Sequence, residues 1–529
     1  MAMITDHILT WVTFVPLLGA VALWLFGRRE GPARIFALAV SLVDFVLSLH
    51  LWFHFDAARG DDQFVERVAW IGNGQVSYHL GCDGISLVLA LLTTFLGPLI
   101  ILSTWKAITS RVREFLAFFL LLQTAMLGTF LARDMLLFYV FWEAMLIPMY
   151  FIIGIWGGQR RIYAAVKFFI FTMVGSVFML VGILYLFFQS GSMELTSFLN
   201  LNLEHNAQLW LFAAFFLAFA IKVPVFPLHT WLPDAHVEAP TAGSVVLAGV
   251  LLKMGTYGML RFAMPLFPQG VAYFAPAVSI LAVIGIIYGA LVALVQPDIK
   301  KLVAYSSVSH LGFVVLGLFS LNSLGVAGGV FQMLAHGLST GALFLLVGVI
   351  YERRHTREIS EFGGLAHVMP LYATFFMIAT LASIGLPGLA GFVGEFTILL
   401  GTFTSEFLPA ARVMAILAAT GVVLGAFFML WMVQRVFFGR LANDANKNLP
   451  DLSWREVVVL VPLLVFMFVL GVHPGLVLDK VDLSIQKVLA PLEAQLVPHS
   501  PAGHAAIPGG GEEGAPAILL VNSDAEDLR

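Results

Sequence analysis

Residues 210–261 read WLFAAFFLAFAIKVPVFPLHTWLPDAHVEAPTAGSVVLAGVLLKMGTYGMLR. An apolar run long enough to enter a bilayer reaches Lys222, and Pro224 and Pro227 follow at once. A short polar turn, His229 to Glu238, leads into a second apolar run that carries Lys253 near its middle. A charged side chain at the centre of a membrane helix costs roughly 2.5–3.5 kcal/mol on insertion scales. Two lysines beside a proline-broken helix therefore need partners or a use.

Composition sets the frame. The chain has 529 residues, 60% hydrophobic and 11% charged, with mean hydropathy +0.93. A soluble domain carries about 25% charged residues, so the fold class is an all-α polytopic membrane protein. Apolar runs continuous over about 20 residues, without strict alternation, exclude an outer-membrane barrel. The single cysteine, Cys82, permits no internal disulfide and no cysteine-based metal or iron–sulfur site. The first apolar run, residues 8–26, lacks a basic segment before it and ends in Arg28-Arg29, so it reads as a retained span.

Hydropathy gives fourteen spans, of which the seventh (209–230) and twelfth (370–402) are interrupted by Pro or Gly. Basic residues sort by side. Arg28, Arg29 and Arg34, then Lys106, Arg111 and Arg113, then the groups around Arg160, Lys300, Arg353 and Arg435 fall in one set of alternate loops. That set holds 18 of the 28 basic residues and reads as cytoplasmic, which places both termini outside. The loop from Asp56 to Gly84 carries two short alternating runs around Gly72-Asn73-Gly74 and predicts an external β-hairpin. After Pro474 the pattern LVLDKVDLSIQKVLAPL predicts an amphipathic helix at the interface, and Pro498–Gly514 is Pro/Gly-rich and expected to be poorly ordered.

More ionisable residues sit at membrane depth: Glu143, His310, His336 and Glu395. Such residues mark ion pathways or proton relays more often than packing. Each also has a plainer reading. A lone histidine can be a helix–helix hydrogen-bond partner, and Glu143 can be a structural acid paired with a lysine. Asp298 and Lys301 read as interfacial anchors, and Asp44 and Asp134 as isolated structural residues near span ends. His229 and Asp234 flank the break but are too few for a metal site. Burial disfavours a charged ammonium and a nearby carboxylate favours it. Movement of Glu143 relative to Lys222 would therefore load and unload a proton on the lysine.

The breaks in spans seven and twelve lie five spans apart. An odd offset predicts two inverted five-span repeats, spans 4–8 and 9–13. The expected divisions are residues 1–113 (three spans and the external loop), 114–262 (first repeat), 263–438 (second repeat) and 439–529 (last span and external tail).

FAIKVPVFPLHTWLPDAHVEAPTAGSVVLAGVLLKMGTYGMLRF, LFYVFWEAMLIPMYFIIGIWGG, QPDIKKLVAYSSVSHLGFVVLGL, GLPGLAGFVGEF and the external Asp83–Ser86 resemble the antiporter-like, proton-pumping subunits of respiratory complex I, NADH:quinone oxidoreductase. The resemblance covers nearly the whole chain. It implies Glu143 as the acid of a coupling pair and Lys222 as its partner on the broken helix. It implies Lys253 as the connecting lysine, His310 and His336 as the histidines of a polar axis, and Glu395 as the terminal residue. Glutamate at 395, where the L and N types have lysine, points to the M type (subunit 4 in mitochondria). The resemblance also implies a bacterial inner-membrane location and other membrane-arm subunits and lipids as partners, with no nucleic acid. It implies no cofactor on this chain, with NADH, FMN, iron–sulfur clusters and quinone on partner subunits. Two alternatives stand beside it: a subunit of a multisubunit cation/proton antiporter, which shares the Glu and Lys pattern, and a non-pumping structural spacer.

Overall fold

A computed structural model of the chain describes residues 6–26 and 29–496. The expectation for Pro498–Gly514 lies outside the described residues, as does Arg28. The first helices are α1 (Ile8–Phe26), α2 (Glu30–His54), α3 (Gly84–Ala107), α4 (Val112–Leu131), α5 (Met135–Trp156) and α6 (Arg161–Ser190). Then come α7 (His205–Lys222), α8 (Trp231–Glu238), α9 (Thr241–Leu266), α10 (Pro268–Leu294), α11 (Ile299–Leu318) and α12 (Ser323–Arg354). The last are α13 (Pro370–Ser383), α14 (Ala390–Phe403), α15 (Ala411–Phe437), α16 (Trp454–Val472) and α17 (Gly475–Leu496). Among the described residues, twelve helices are long and apolar enough to cross a membrane. The expected fourteen would need α7 with α8, and α13 with α14, each to make one interrupted crossing.

The two interruptions follow from local chemistry. Pro224 has no N–H for the Ala220 carbonyl, and the amide of Val225 takes that acceptor instead at 2.8 Å. The indole of Trp231 donates to the freed Ile221 carbonyl at 2.8 Å, so the broken end leaves that group satisfied. In the second break Gly385 and Gly388 adopt φ of +72° and +90°, which a side chain would resist.

Burial separates the helices. In α2 only 28% of the apolar window is buried, whereas in α9 and α12 it is all buried. A helix that is apolar on every side belongs inside, and these two form the centre. α12 packs on α11 and α14, and α9 on α7 and α12. The α12–α14 crossing is close because glycines line it: a side-chain carbon on Gly401 would fall 2.3 Å from the Gly325 nitrogen.

At one end a two-stranded antiparallel hairpin, β1 (Gln63–Ile71) and β2 (Val76–Cys82), turns through Gly72-Asn73-Gly74, all three with positive φ. Helix α17 lies on α3, α10 and α12. It approaches so closely that the Gly84 amide donates to Ser484 Oγ at 2.9 Å. Under the hairpin, the buried Arg133 binds Asp62 at 2.7 Å, and Arg261 binds both Asp62 and Asp83.

One sequence reading needs correction. Asp44 is neither isolated nor near a helix end: it is the fifteenth residue of the 25-residue α2. Asp44 is fully buried within it, and its Oδ2 accepts from Gln123 Nε2 of α4 at 2.6 Å. Asp134, by contrast, is a helix N-cap, accepting from the amides of Leu136 and Leu137.

Candidate functional site

Four of the six candidate residues meet in one buried row. Lys253 on α9 donates to the carbonyl of Ala248 and contacts His336 Nδ1 of α12 at 2.7 Å. The rings of His336 and His310 (α11) have centroids 5.7 Å apart. His310 Nδ1 lies 2.9 Å from Glu395 Oε1 of α14. The four residues are at most 5% exposed.

The backbone explains how a lysine is tolerated there. Residues Leu247–Leu251 and Met259–Ala263 are wound as π-helix. A π-turn shifts the ladder and releases carbonyls from their usual partners. Ala248 is in the first such turn, and its oxygen is the one Lys253 takes. A buried charge is stable only with partners, and here one comes from the same helix and one from α12.

At the far end, Glu395 Oε1 also accepts from Gln332 Nε2 at 3.3 Å, and His310 Nε2 lies 3.2 Å from Ser383 Oγ. A β-carbon on Gly385 would sit 2.8 Å from Glu395 Oε2, so the break presses its glycine against the carboxylate. Chemically, an imidazole has two nitrogens and can accept on one while releasing from the other. His336 Nε2 is buried without a partner, and His310 faces it with both nitrogens engaged elsewhere.

Glu143 and Lys222 are arranged differently. Lys222, at the last turn of α7, is 1% exposed, and its Nζ has no hydrogen-bond partner. The ammonium lies 5.3 Å from the Trp142 ring centroid and 5.5 Å from that of Phe168. Aromatic faces hold a cation weakly and leave its donors unused. Glu143 follows Trp142 in sequence, and its Oε1 is likewise buried and unpartnered. Among the described residues the two make no direct bond to one another. The end of α7 rests on α9, where a β-carbon on Gly255 would lie 2.7 Å from the Phe219 carbonyl.

The other flagged residues separate. Asp234 pairs with Lys167 at 2.7 Å, whereas His229 stacks on Phe226, so the two do not share a site. Asp298 caps α11 and binds Arg357 at 3.0 Å. Among the described residues no group of three or more His, Cys, Asp or Glu is arranged to hold a metal.

Sequence reading missed two residues. His236, within the stretch read as a turn, is on α8, fully buried and stacked on Phe344, with both ring nitrogens unpartnered. Lys300, not Lys301, points inward, and its Nζ donates to the Ala239 carbonyl at 2.6 Å. It lines a polar cavity of ≈ 420 Å³ with Glu238, Thr241, Asp298 and Arg357. The adjacent lysines gave no signal for which one turns in, whereas His236 was legible as an imidazole one helical turn past the break.

Broken helices, a buried lysine–histidine–glutamate row and a detached acid–lysine pair define an antiporter-like membrane subunit. Residues 132–425 match the family described as NADH:quinone oxidoreductase/Mrp antiporter, TM, and residues 67–131 match NADH-ubiquinone oxidoreductase chain 4, amino terminus. NADH-quinone oxidoreductase subunit M of Rhodobacter capsulatus is 47% identical, over 93% of this chain and 98% of that protein. A chain of respiratory complex I from Thermus thermophilus with bound NADH superposes with a TM-score of 0.83 at 34% identity, covering 92% of this chain and 99% of that one. A chain of the Mrp complex from Dietzia sp. DQ12-45-1b reaches the same TM-score at 21% identity, covering 94% and 100%, a likeness of fold. The chain belongs to the NADH:quinone oxidoreductase/Mrp antiporter family, on its subunit M (chain 4) branch.

Proposed function

We propose that this chain, a proton-translocating membrane-arm subunit of NADH-quinone oxidoreductase, moves H⁺ through Glu143, Lys222, Lys253, His336, His310 and Glu395. The observation that carries the reading is the buried row from Lys253 to Glu395, in which two of the three junctions are hydrogen bonds of 2.7 and 2.9 Å. Lys222 is the gated member. An ammonium held only by aromatic faces gains or loses its proton according to how near the Glu143 carboxylate stands. The polar cavity around Lys300, lined by Val237 and Glu238, is the aqueous approach toward the adjoining His236.

In this reading spans 4–8 and 9–13 act as inverted halves, residues 114–262 and 263–438. Lys253 and His336 join them. Both termini face the outside of the bacterial inner membrane, and NADH, FMN, iron–sulfur clusters and quinone are held by partner subunits.

Lys222→Ala or Glu143→Ala, in an assembled complex verified by its subunit content, lowers proton-coupled quinone reduction by about tenfold or more, a modest share of what a positioned proton-transfer group contributes. Unchanged pumping in that complex would leave the structural-spacer reading standing. The antiporter reading is separated by ion: replacing Na⁺ with choline leaves the wild-type pumping rate unaltered if H⁺ alone is moved.

A further inference from the structure

Away from the proton row, a groove of ≈ 320 Å³ opens between α2, α3, α12, α16 and the start of α17. All fourteen lining residues are aliphatic or aromatic, among them Leu49, Trp52, Leu91, Leu338, Leu470 and Val477. A space so lined rejects water. It opens on the face where α2 exposes the apolar side chains of Leu42, Val43, Val46 and Phe53.

A cation stands at its rim. Lys480 is one helical turn past Leu476 and Val477, which line the groove, and its ammonium lies 4.7 Å from the Trp52 ring centroid. It donates to the Trp52 carbonyl at 3.3 Å, and among the described residues no carboxylate comes within ion-pair distance. An ammonium has three donors, so two remain for a ligand above the groove. We propose that the groove holds one acyl chain of an anionic phospholipid, with its phosphate bound by Lys480. The charge favours an anionic headgroup, and the apolar lining offers nothing to a polar ring. Leu334 and Leu338, one helical turn apart, line the groove from the face of α12 opposite His336. The acyl chain therefore packs against the outer wall of the helix that carries His336 on its inner side.

The test uses the assembled complex in phosphatidylcholine nanodiscs doped with phosphatidylglycerol that carries a photoactivatable acyl chain. Crosslinked peptides from α2, α3 or α17 are expected. Lys480→Gln lowers their yield about fivefold, the ~1 kcal/mol of one basic residue at a membrane surface. Leu91→Trp, which fills the groove, lowers it with Lys480 intact. Equal labelling by photoactivatable phosphatidylcholine, a yield indifferent to both substitutions, or crosslinks from the groove to another polypeptide would overturn the proposal.

Discussion

Glu395 shows how much one carboxylate is asked to do. Its Oε1 is shared by His310 and Gln332, and Oε2 faces the second helix break. Glu395→Gln keeps the size but removes the charge that stabilises an imidazolium at His310, so proton-coupled turnover falls steeply while assembly holds. Glu395→Lys brings a donor against Gln332 Nε2, yet supplies a titratable group at the same place, so it retains more turnover than the glutamine variant. Quinone-reductase rates of the two complexes, side by side, decide it. Glu143, Lys222, Lys253, His310, His336 and Glu395 could be picked out because a charge or imidazole in an apolar run is visible without coordinates. Gln332 and Ser383, which hold the far end, could not. Neutral polar residues are common in membrane helices, and only packing tells which of them reach a partner.

Elements were legible where proline and glycine interrupt them. Both breaks were marked by composition, as were the hairpin, by Gly-Asn-Gly, and α17, by its amphipathic pattern. The π-helical turns around Lys253 carry no such mark: no proline lies within them. Helix–helix distance was equally hidden. A β-carbon on Gly394 would fall 2.3 Å from Gln332 Oε1 and 2.9 Å from the Gln332 Cα, next to the residue that carries the carboxylate. Gly394→Ala therefore forces α14 off α12. The cost is about 1–3 kcal/mol, typical of overpacking. A lowered thermal midpoint and impaired turnover in the same preparation would report it.

At the scale of the molecule, the ion cluster beneath the hairpin ties distant segments together. Asp62 meets Arg133 and Arg261, 71 and 199 positions away, pairings that no local pattern foretells. Burial alone would raise the Asp62 carboxyl, but the two guanidinium groups outweigh it and hold the group well below the ordinary carboxylate range. A depressed folded value stabilises above the unfolded value, about 3.9, and that stability is lost as pH falls from there toward the native one. Asp62→Asn therefore lowers the thermal midpoint of the complex at neutral pH, and the gap from wild type narrows as the pH drops below about 4. A gap that stays constant with pH would exclude this role.

Depth within the bundle gives the row a further property. Lys253 lies near the middle of the 26-residue α9, His336 near the middle of the 32-residue α12, and His310 near the middle of the 20-residue α11. Displacing one elementary charge along the membrane normal involves about 2.3 kcal/mol per 100 mV. On the proposed path, passage from Lys253 to His310 joins mid-helix positions, so it would cross little of the field and do little electrical work. On the proposed path the potential would act on the legs that climb in and out, and the lateral row would conduct alike in an energised and a discharged membrane.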